Sequence, residues 1–150
     1  MKYQQETVLG ILPEILPLLE ANFSETEEYI SKLNPDLSLY FKLAKSDMYY
    51  VFTARTDEGE LVGYIGMLVQ PALHDKDTIT ATNDIWYVSP KHRGKFTGLR
   101  LIKYAESELR PIGVNYIFLH TKVINDLAGM LKRVGYSPHE IVSVKRLEKP

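Results

Sequence analysis

A strand, a basic glycine-bearing turn and an amphipathic helix follow one another without interruption in Ile85-Trp86-Tyr87-Val88-Ser89-Pro90-Lys91-His92-Arg93-Gly94-Lys95-Phe96-Thr97-Gly98-Leu99-Arg100. This order constrains the chain more than any other stretch. Amides that open a helix have no intrahelical acceptor, and they sit at the positive end of the helix dipole. An anion meets both needs. Gly94 and Gly98 let the backbone approach a ligand closely, while Lys91, Arg93, Lys95 and Arg100 add positive charge. His92 belongs to the same turn.

Spacing separates the phosphate-binding possibilities. A Walker loop needs Gly-x-x-x-x-Gly-Lys-Ser/Thr, and the residues after Gly98 are Leu99 and Arg100. A dinucleotide fingerprint needs Gly-x-Gly-x-x-Gly near the start of a βαβ unit, whereas this turn lies well past mid-chain. The segment instead resembles the Arg/Gln-x-x-Gly-x-Gly/Ala signature of the GNAT family of N-acetyltransferases. Here it reads Arg93-Gly94-Lys95-Phe96-Thr97-Gly98, with Phe96 where the family usually has its first glycine. The resemblance implies that the chain from Arg93 through Gly94, Lys95, Phe96, Thr97 and Gly98 to Leu99 holds the pyrophosphate of acetyl-coenzyme A (acetyl-CoA).

A length of 150 residues is most simply one domain, spanning 1–150, with room for a core that needs no disulfide or structural metal. The formal net charge is −1, so nothing global draws the chain to nucleic acid or to an anionic membrane. The absence of cysteine excludes disulfides, a thiolate nucleophile and a zinc–thiolate site. The start, Met1 to Glu6, lacks the features of a signal peptide, and no apolar run is long enough to span a bilayer. A cytoplasmic location is the expectation.

Val8, Leu9, Ile11, Leu12, Ile15, Leu16, Leu18 and Leu19 recur at helical spacing, with Pro13 and Pro17 predicting a short or bent helix. Ser24 and Glu27 have capping-box spacing and predict a second helix to about Leu33, whose acidic start is Glu25 to Glu28. Leu37 to Ala44 predicts a third. Met48 to Arg55, the turn Asp57-Glu58-Gly59 and Leu61 to Val69 predict a hairpin, followed by an exposed loop over Pro71 to Asp77 and a strand over Thr78 to Val88. Leu99, Ile102, Ala105 and Leu109 place one apolar face on a helix closed by Pro111 and Gly113. A strand over Val114 to Thr121, a helix over Asn125 to Val134 and a last strand over Ile141 to Leu147 complete the series.

The fold class expected is α/β, a mixed domain with a mostly antiparallel central sheet flanked by helices. This element order is similar to that of the GNAT family, and the resemblance runs from Met48 to Leu147. Asn83 to Val88, the Glu106 helix, His120-Thr121-Lys122, Gly135-Tyr136 and Glu140 to Leu147 further resemble small acetyltransferases carried by tailed bacteriophages. The family likeness implies splayed parallel strands at the cofactor site, pantetheine pairing along the main chain of Tyr87 and Val88, and a Val88 amide facing the oxyanion.

Acetyl transfer to an amine requires an oriented donor, an unprotonated amine, a donor to the oxyanion and a proton for the thiolate. Asp84 interrupts an apolar strand, and alternation places it on one face with Trp86 and Val88. It either takes a proton from the amine or binds a lysine or loop amides. His120 either exchanges a proton near neutral pH or is satisfied by the backbone. Asn125 and Ala128 match the start of the family's last signature, Asn-x-x-Ala-x-x-x-Tyr-x-x-x-Gly-Phe/Tyr, Lys132 stands in the place of its proton-donating tyrosine, and Gly135-Tyr136 supplies its ending one residue early. The resemblance thus implies Asn125 beside the cofactor and leaves Lys132 to donate a proton, stabilise the thiolate or cover phosphate. His74, Asp75 and Asp77 occupy one polar loop, and no metal site is expected there.

The sequence therefore points to an N-acetyltransferase moving acetyl from acetyl-CoA to a primary amine by direct attack, with a homodimer as one option. The alternative is a non-catalytic acyl-CoA-binding regulatory module, which the departures at Phe96 and Lys132 keep open.

Overall fold

The computed structural model describes residues 1–26, 32–125 and 127–148. Its sheet has the order β1-β2-β3-β4-β5, formed by Lys2–Glu6, Tyr49–Arg55, Leu61–Ala72, Asp75–Val88 and Val114–Phe118. The first four strands are antiparallel neighbours, and β5 joins β4 in parallel. A parallel neighbour requires a crossover, which α3 (Thr97–Leu109) supplies. Helices α1 (Val8–Thr26) and α2 (Leu37–Lys45) cover the opposite face, and the short α4 (Ala128–Lys132) follows β5.

Alternation in the strands divides the core. Phe52, Ile65, Met67 and Ala81 face Leu101, Ile102, Ala105 and Leu109 of α3, whereas Tyr49, Val51, Tyr64, Ile85 and Tyr87 face Ile11 and its helical neighbours. The hairpin over β2 and β3 and the helix after the basic turn stand where the sequence puts them. Asp36 caps α2 by accepting a hydrogen bond from the Leu39 amide at 3.0 Å.

Several expectations are corrected. The polar segment Lys2–Glu6 is an edge strand, invisible to an apolar pattern because its pairing with β2 is made by the main chain. Helix α1 runs unbroken through Pro13 and Pro17; both are exposed, so water can reach the carbonyls that proline leaves unbonded. Ser24 caps no second helix, since it lies inside α1 and its hydroxyl donates to Ala21 O at 2.9 Å. Residues 27–31, where that second helix was expected, lie outside the described residues. The region Pro71 to Asp77 is mostly strand rather than loop, leaving only Leu73 and His74 between β3 and β4. The Asp75 carboxylate accepts from Asp77 N and the Thr78 hydroxyl, which stabilises that tight return.

Three predicted elements are shorter or missing, the first being β5, which ends at Phe118 rather than Thr121. Helix α4 covers Ala128–Lys132 and closes at Gly135, whose φ of 97° suits glycine. No strand forms over Ile141 to Leu147; Ile141 is 96% exposed and no neighbouring strand supplies a ladder. Strand alternation fixes a pattern of faces, but a strand also needs an edge to pair with.

Arg55 joins three elements. Its Nε donates to Glu6 Oε1 (2.8 Å), Nη1 to Glu14 Oε2 and Gly59 O (both 2.8 Å), and Nη2 to Glu6 Oε2 (3.1 Å) and Glu14 Oε1 (2.9 Å). Every guanidinium donor is used. Burial alone would push the Glu6 carboxyl up, but hydrogen bonds from Arg55 and Thr53 outweigh it and leave the group below its ordinary range. Arg55 lowers Glu14 as well. Depressed carboxyl values mean that the unfolded chain binds more protons, so this contribution is complete above the ordinary glutamate pKa of about 4.3 and fades as pH falls through the lower folded values. Arg55→Met is expected to destabilise by about 2 kcal/mol at pH 7 and to flatten the acid limb of the stability curve. Urea melts between pH 7 and pH 3 check this; an acid limb as steep as in the parent protein would contradict the assignment.

Candidate active site

The register of β3 and β4 slips once beside the site. Ile85 pairs with Gly66 and Asn83 with Met67, which leaves Asp84 as the extra residue of a β-bulge. The bulge reverses alternation, so Asp84 does not share a face with Trp86, contrary to simple counting. Its Oδ2 accepts hydrogen bonds from Tyr40 Oη at 2.8 Å and Tyr49 Oη at 3.0 Å on the α1/α2 side. Trp86 packs on the α3 side. Burial first, and the Asp84 charge second, push the Tyr40 and Tyr49 hydroxyls upward, which keeps both as neutral donors. Asp84 itself remains exposed. A small apolar cavity of about 40 Å³ adjoins it, lined in part by Leu12, Ile15, Leu16, Val51 and Tyr64.

The same bulge ends the pairing of β4 with β5. The ladder stops at Thr82 and Phe118. One residue further, the buried Asn83 side chain donates from Nδ2 to His120 O at 3.0 Å and accepts from His120 N at Oδ1, 2.6 Å away. A side-chain amide thus replaces a rung of backbone ladder and bridges strands that have begun to separate. The His120 ring, exposed on the rim, lines the cleft beyond.

Ser89 N donates to Val62 O at 2.8 Å, which makes this a hydrogen-bonded pair. By antiparallel alternation, Tyr87 then directs its N–H and C=O toward Tyr64 on β3, and Val88 directs its own toward the cleft. Val88, rather than Tyr87, turns its main chain away from β3. The cleft measures about 2100 Å³ and is walled by the second half of β4, all of β5, both ends of α3, the end of α1, and α4 with the segments on either side of it.

At its mouth, a single 3-10 turn over Pro90–His92 leads into the basic loop. Gly94 has φ 82° and Phe96 φ 60°, both left-handed, before α3 begins at Thr97. A phenylalanine there is strained by about 1 kcal/mol relative to glycine, and its side chain is 64% exposed. Among the described residues, the amides of Gly94, Lys95, Phe96, Thr97, Gly98 and Leu99 donate no hydrogen bond; the first bond into the helix comes from Arg100 N to Phe96 O at 2.9 Å. Gly98 lies against Trp86, where an added Cβ would come within 3.0 Å of the indole ring.

The sequence-predicted residues therefore divide. Asp84, Tyr87, Val88, Arg93, Gly94, Phe96, Thr97, Gly98, Leu99, His120 and Asn125 line one cleft. Lys95 contributes its amide to the turn, while its side chain is exposed. Lys132 stands on the solvent side of α4, next to buried Leu131 and away from the cleft lining. Arg93 directs its guanidinium toward α1, where it meets Glu25 at 2.7 Å. Sequence reasoning missed Tyr40, Tyr49 and Glu25, which reach the site from segments distant in the chain. Among the described residues no group of three or more His, Cys, Asp and Glu could hold a metal, and no helix is long and apolar enough to cross a membrane.

The profile of the acetyltransferase (GNAT) family matches residues 12–136, and the chain belongs to that family. No curated protein sequence matches the chain significantly. Among solved structures, it is similar to an aminoglycoside acetyltransferase from an uncultured soil metagenomic sample, with TM-score 0.76, 20% identity and coverage of 99% of this chain and 96% of the other. It is also similar to the ribosomal-protein-alanine N-acetyltransferase of Brucella melitensis biovar Abortus 2308 (TM-score 0.73, 20% identity, 98% and 100% covered). A third similar structure is glucosamine-6-phosphate N-acetyltransferase of Arabidopsis thaliana (TM-score 0.72, 11% identity, 98% of each chain covered). At these identities the likeness establishes the fold.

Removing the Asn83 bridge tests the architecture. Asn83→Ala is expected to cost about 2 kcal/mol, from two buried hydrogen bonds at about 1 kcal/mol each, and to speed amide exchange at His120 selectively. Unaltered exchange at His120 would show that the splayed strands need no bridge.

Proposed function

We propose that the protein is an acetyl-CoA-dependent N-acetyltransferase acting on a primary amine by direct attack within a ternary complex. The observation that carries this reading is the run of unbonded amides from Gly94 to Leu99 at the opening of α3, whose residues apart from Lys95 line the cleft together with Val88. Two phosphates supply the acceptors such a turn lacks. Arg93 then contributes main chain to the turn rather than its guanidinium, and Asn125 borders the donor from the opposite wall.

In the reaction, the amine nitrogen forms a bond to the thioester carbonyl carbon, and the carbonyl π electrons move to oxygen. The Val88 N–H donates to that oxyanion. Asp84 accepts the proton that the ammonium must lose, using the Oδ1 left free by its two tyrosine partners. Collapse of the intermediate breaks the carbon–sulfur bond, and a water-borne proton from the attacking nitrogen completes the thiol. Lys132 has no part in this step, and His120 serves as rim or proton relay. The absence of cysteine fits transfer without an acyl-enzyme.

The acceptor side is aromatic and aliphatic apart from Asp84. This favours an amine carried on an apolar stem over a polyhydroxylated one, since sugar hydroxyls would find few partners there. The solvent-side position of Lys132 supports the second reading, an acyl-CoA-binding module without turnover.

Isothermal titration with acetyl-CoA, followed by thiol release with an amine library, tests both readings. Gly98→Glu, whose carboxylate opposes phosphate and whose Cβ presses on Trp86, is expected to weaken acetyl-CoA binding by roughly 100-fold. Binding at parental strength would refute the phosphate turn. Asp84→Asn is expected to leave acetyl-CoA affinity unchanged and slow turnover by roughly 100-fold, within the usual range for a lost general base. Undiminished turnover would remove Asp84 from the mechanism, and donor binding without turnover of any amine would favour the module.

A further inference from the structure

The carboxylate of Glu25, at the end of α1, touches both the β4 terminus and the basic turn. Its Oε1 accepts from Tyr87 Oη at 3.2 Å and its Oε2 from Arg93 Nη2 at 2.7 Å. The same guanidinium donates through Nε to Val88 O at 2.8 Å and lies over the Tyr87 ring, 5.3 Å from its centroid. Val88 O belongs to the strand end that turns its polar main chain into the cleft. Arg93 is therefore occupied by Glu25 of α1 and by Val88 O, while the amides from Gly94 to Leu99 donate to nothing among the described residues.

Resting on the acetyltransferase reading above, we propose that Glu25 is a positioning residue: acting through Arg93, it holds the Val88 main chain in place for the thioester end of the donor. In this arrangement Arg93 is a strut between α1 and β4 and not a phosphate ligand. The two roles make opposite demands on the ion pair. A phosphate-binding arginine would be freed by loss of Glu25, and donor affinity would rise. A strut is broken equally by loss of either end. Because the strut acts at Val88, its loss should affect the acetyl-pantetheine portion and spare the diphosphate portion of the donor.

The test uses the full chain and two probes, acetyl-CoA and 3′-phospho-ADP, which carries the diphosphate without pantetheine. Dissociation constants are measured by titration calorimetry for the parent, Glu25→Gln, Arg93→Lys and the double variant, with melting temperatures recorded alongside. Arg93→Lys keeps the charge and removes the forked geometry that reaches Val88 O and Glu25 together. The expected result is acetyl-CoA binding weakened roughly fivefold in each single variant and by no more in the double variant, with 3′-phospho-ADP binding unchanged. The Val88 amide resonance should lose its acetyl-CoA-induced shift in all three variants. Tighter acetyl-CoA binding in Glu25→Gln, a parallel loss of 3′-phospho-ADP binding, or additive effects would each overturn the strut. A parent protein that binds neither probe would instead overturn the acetyltransferase reading, and the positioning role with it.

Discussion

A single inserted residue, Asp84, separates the two functions of strand β4. Before it, β4 pairs on both sides and belongs to the core; after it, one edge of the strand is left open. The separation persists because the Asn83 amide occupies the ladder position that a closing β5 would need, bonding His120 in both directions. Without that bridge, the unpaired backbone groups of a diverging strand would be driven to close on each other or take up water. The cleft is thus a property of the sheet and not of a loop.

The bulge also decides which chemistry meets the cleft. By reversing alternation, it moves Asp84 from the α3 side to the side of Tyr40 and Tyr49, which hold one carboxylate oxygen and leave the other. The opening of α3 brings its unbonded amides to the same corner, against Trp86 at Gly98. A carboxylate, an outward strand amide and an anion-seeking turn thereby converge, although they come from a strand interior, a strand end and a helix start.

The parts legible in the sequence were those governed by local periodicity or special backbone. The turn from Arg93 to Leu99 could be read because glycines, charge and an adjoining helix coincide, and the hairpin over β2 and β3 because runs rich in aromatic, β-branched and apolar residues flank an Asp-Glu-Gly turn. Edge strand β1 carried no such signal, since Lys2–Glu6 is held by main-chain pairing. The orientation of Asp84 was misread for a related reason: counting by twos assumes unbroken register, and a bulge is fixed by both strands together. Tyr40, Tyr49 and Glu25 became visible only once α1 and α2 were laid on the sheet. The strand expected over Ile141 to Leu147 shows the converse error, a strand pattern without a paired neighbour.

On the function proposed, the amides from Gly94 to Leu99 receive the donor diphosphate. Backbone amide resonances of the isotopically labelled protein, followed during addition of acetyl-CoA, test it most directly. Large downfield shifts are expected, concentrated in those amides and in Val88, with new protection from solvent exchange. Shifts confined to exposed lysines elsewhere, with the turn amides still exchanging freely, would contradict it.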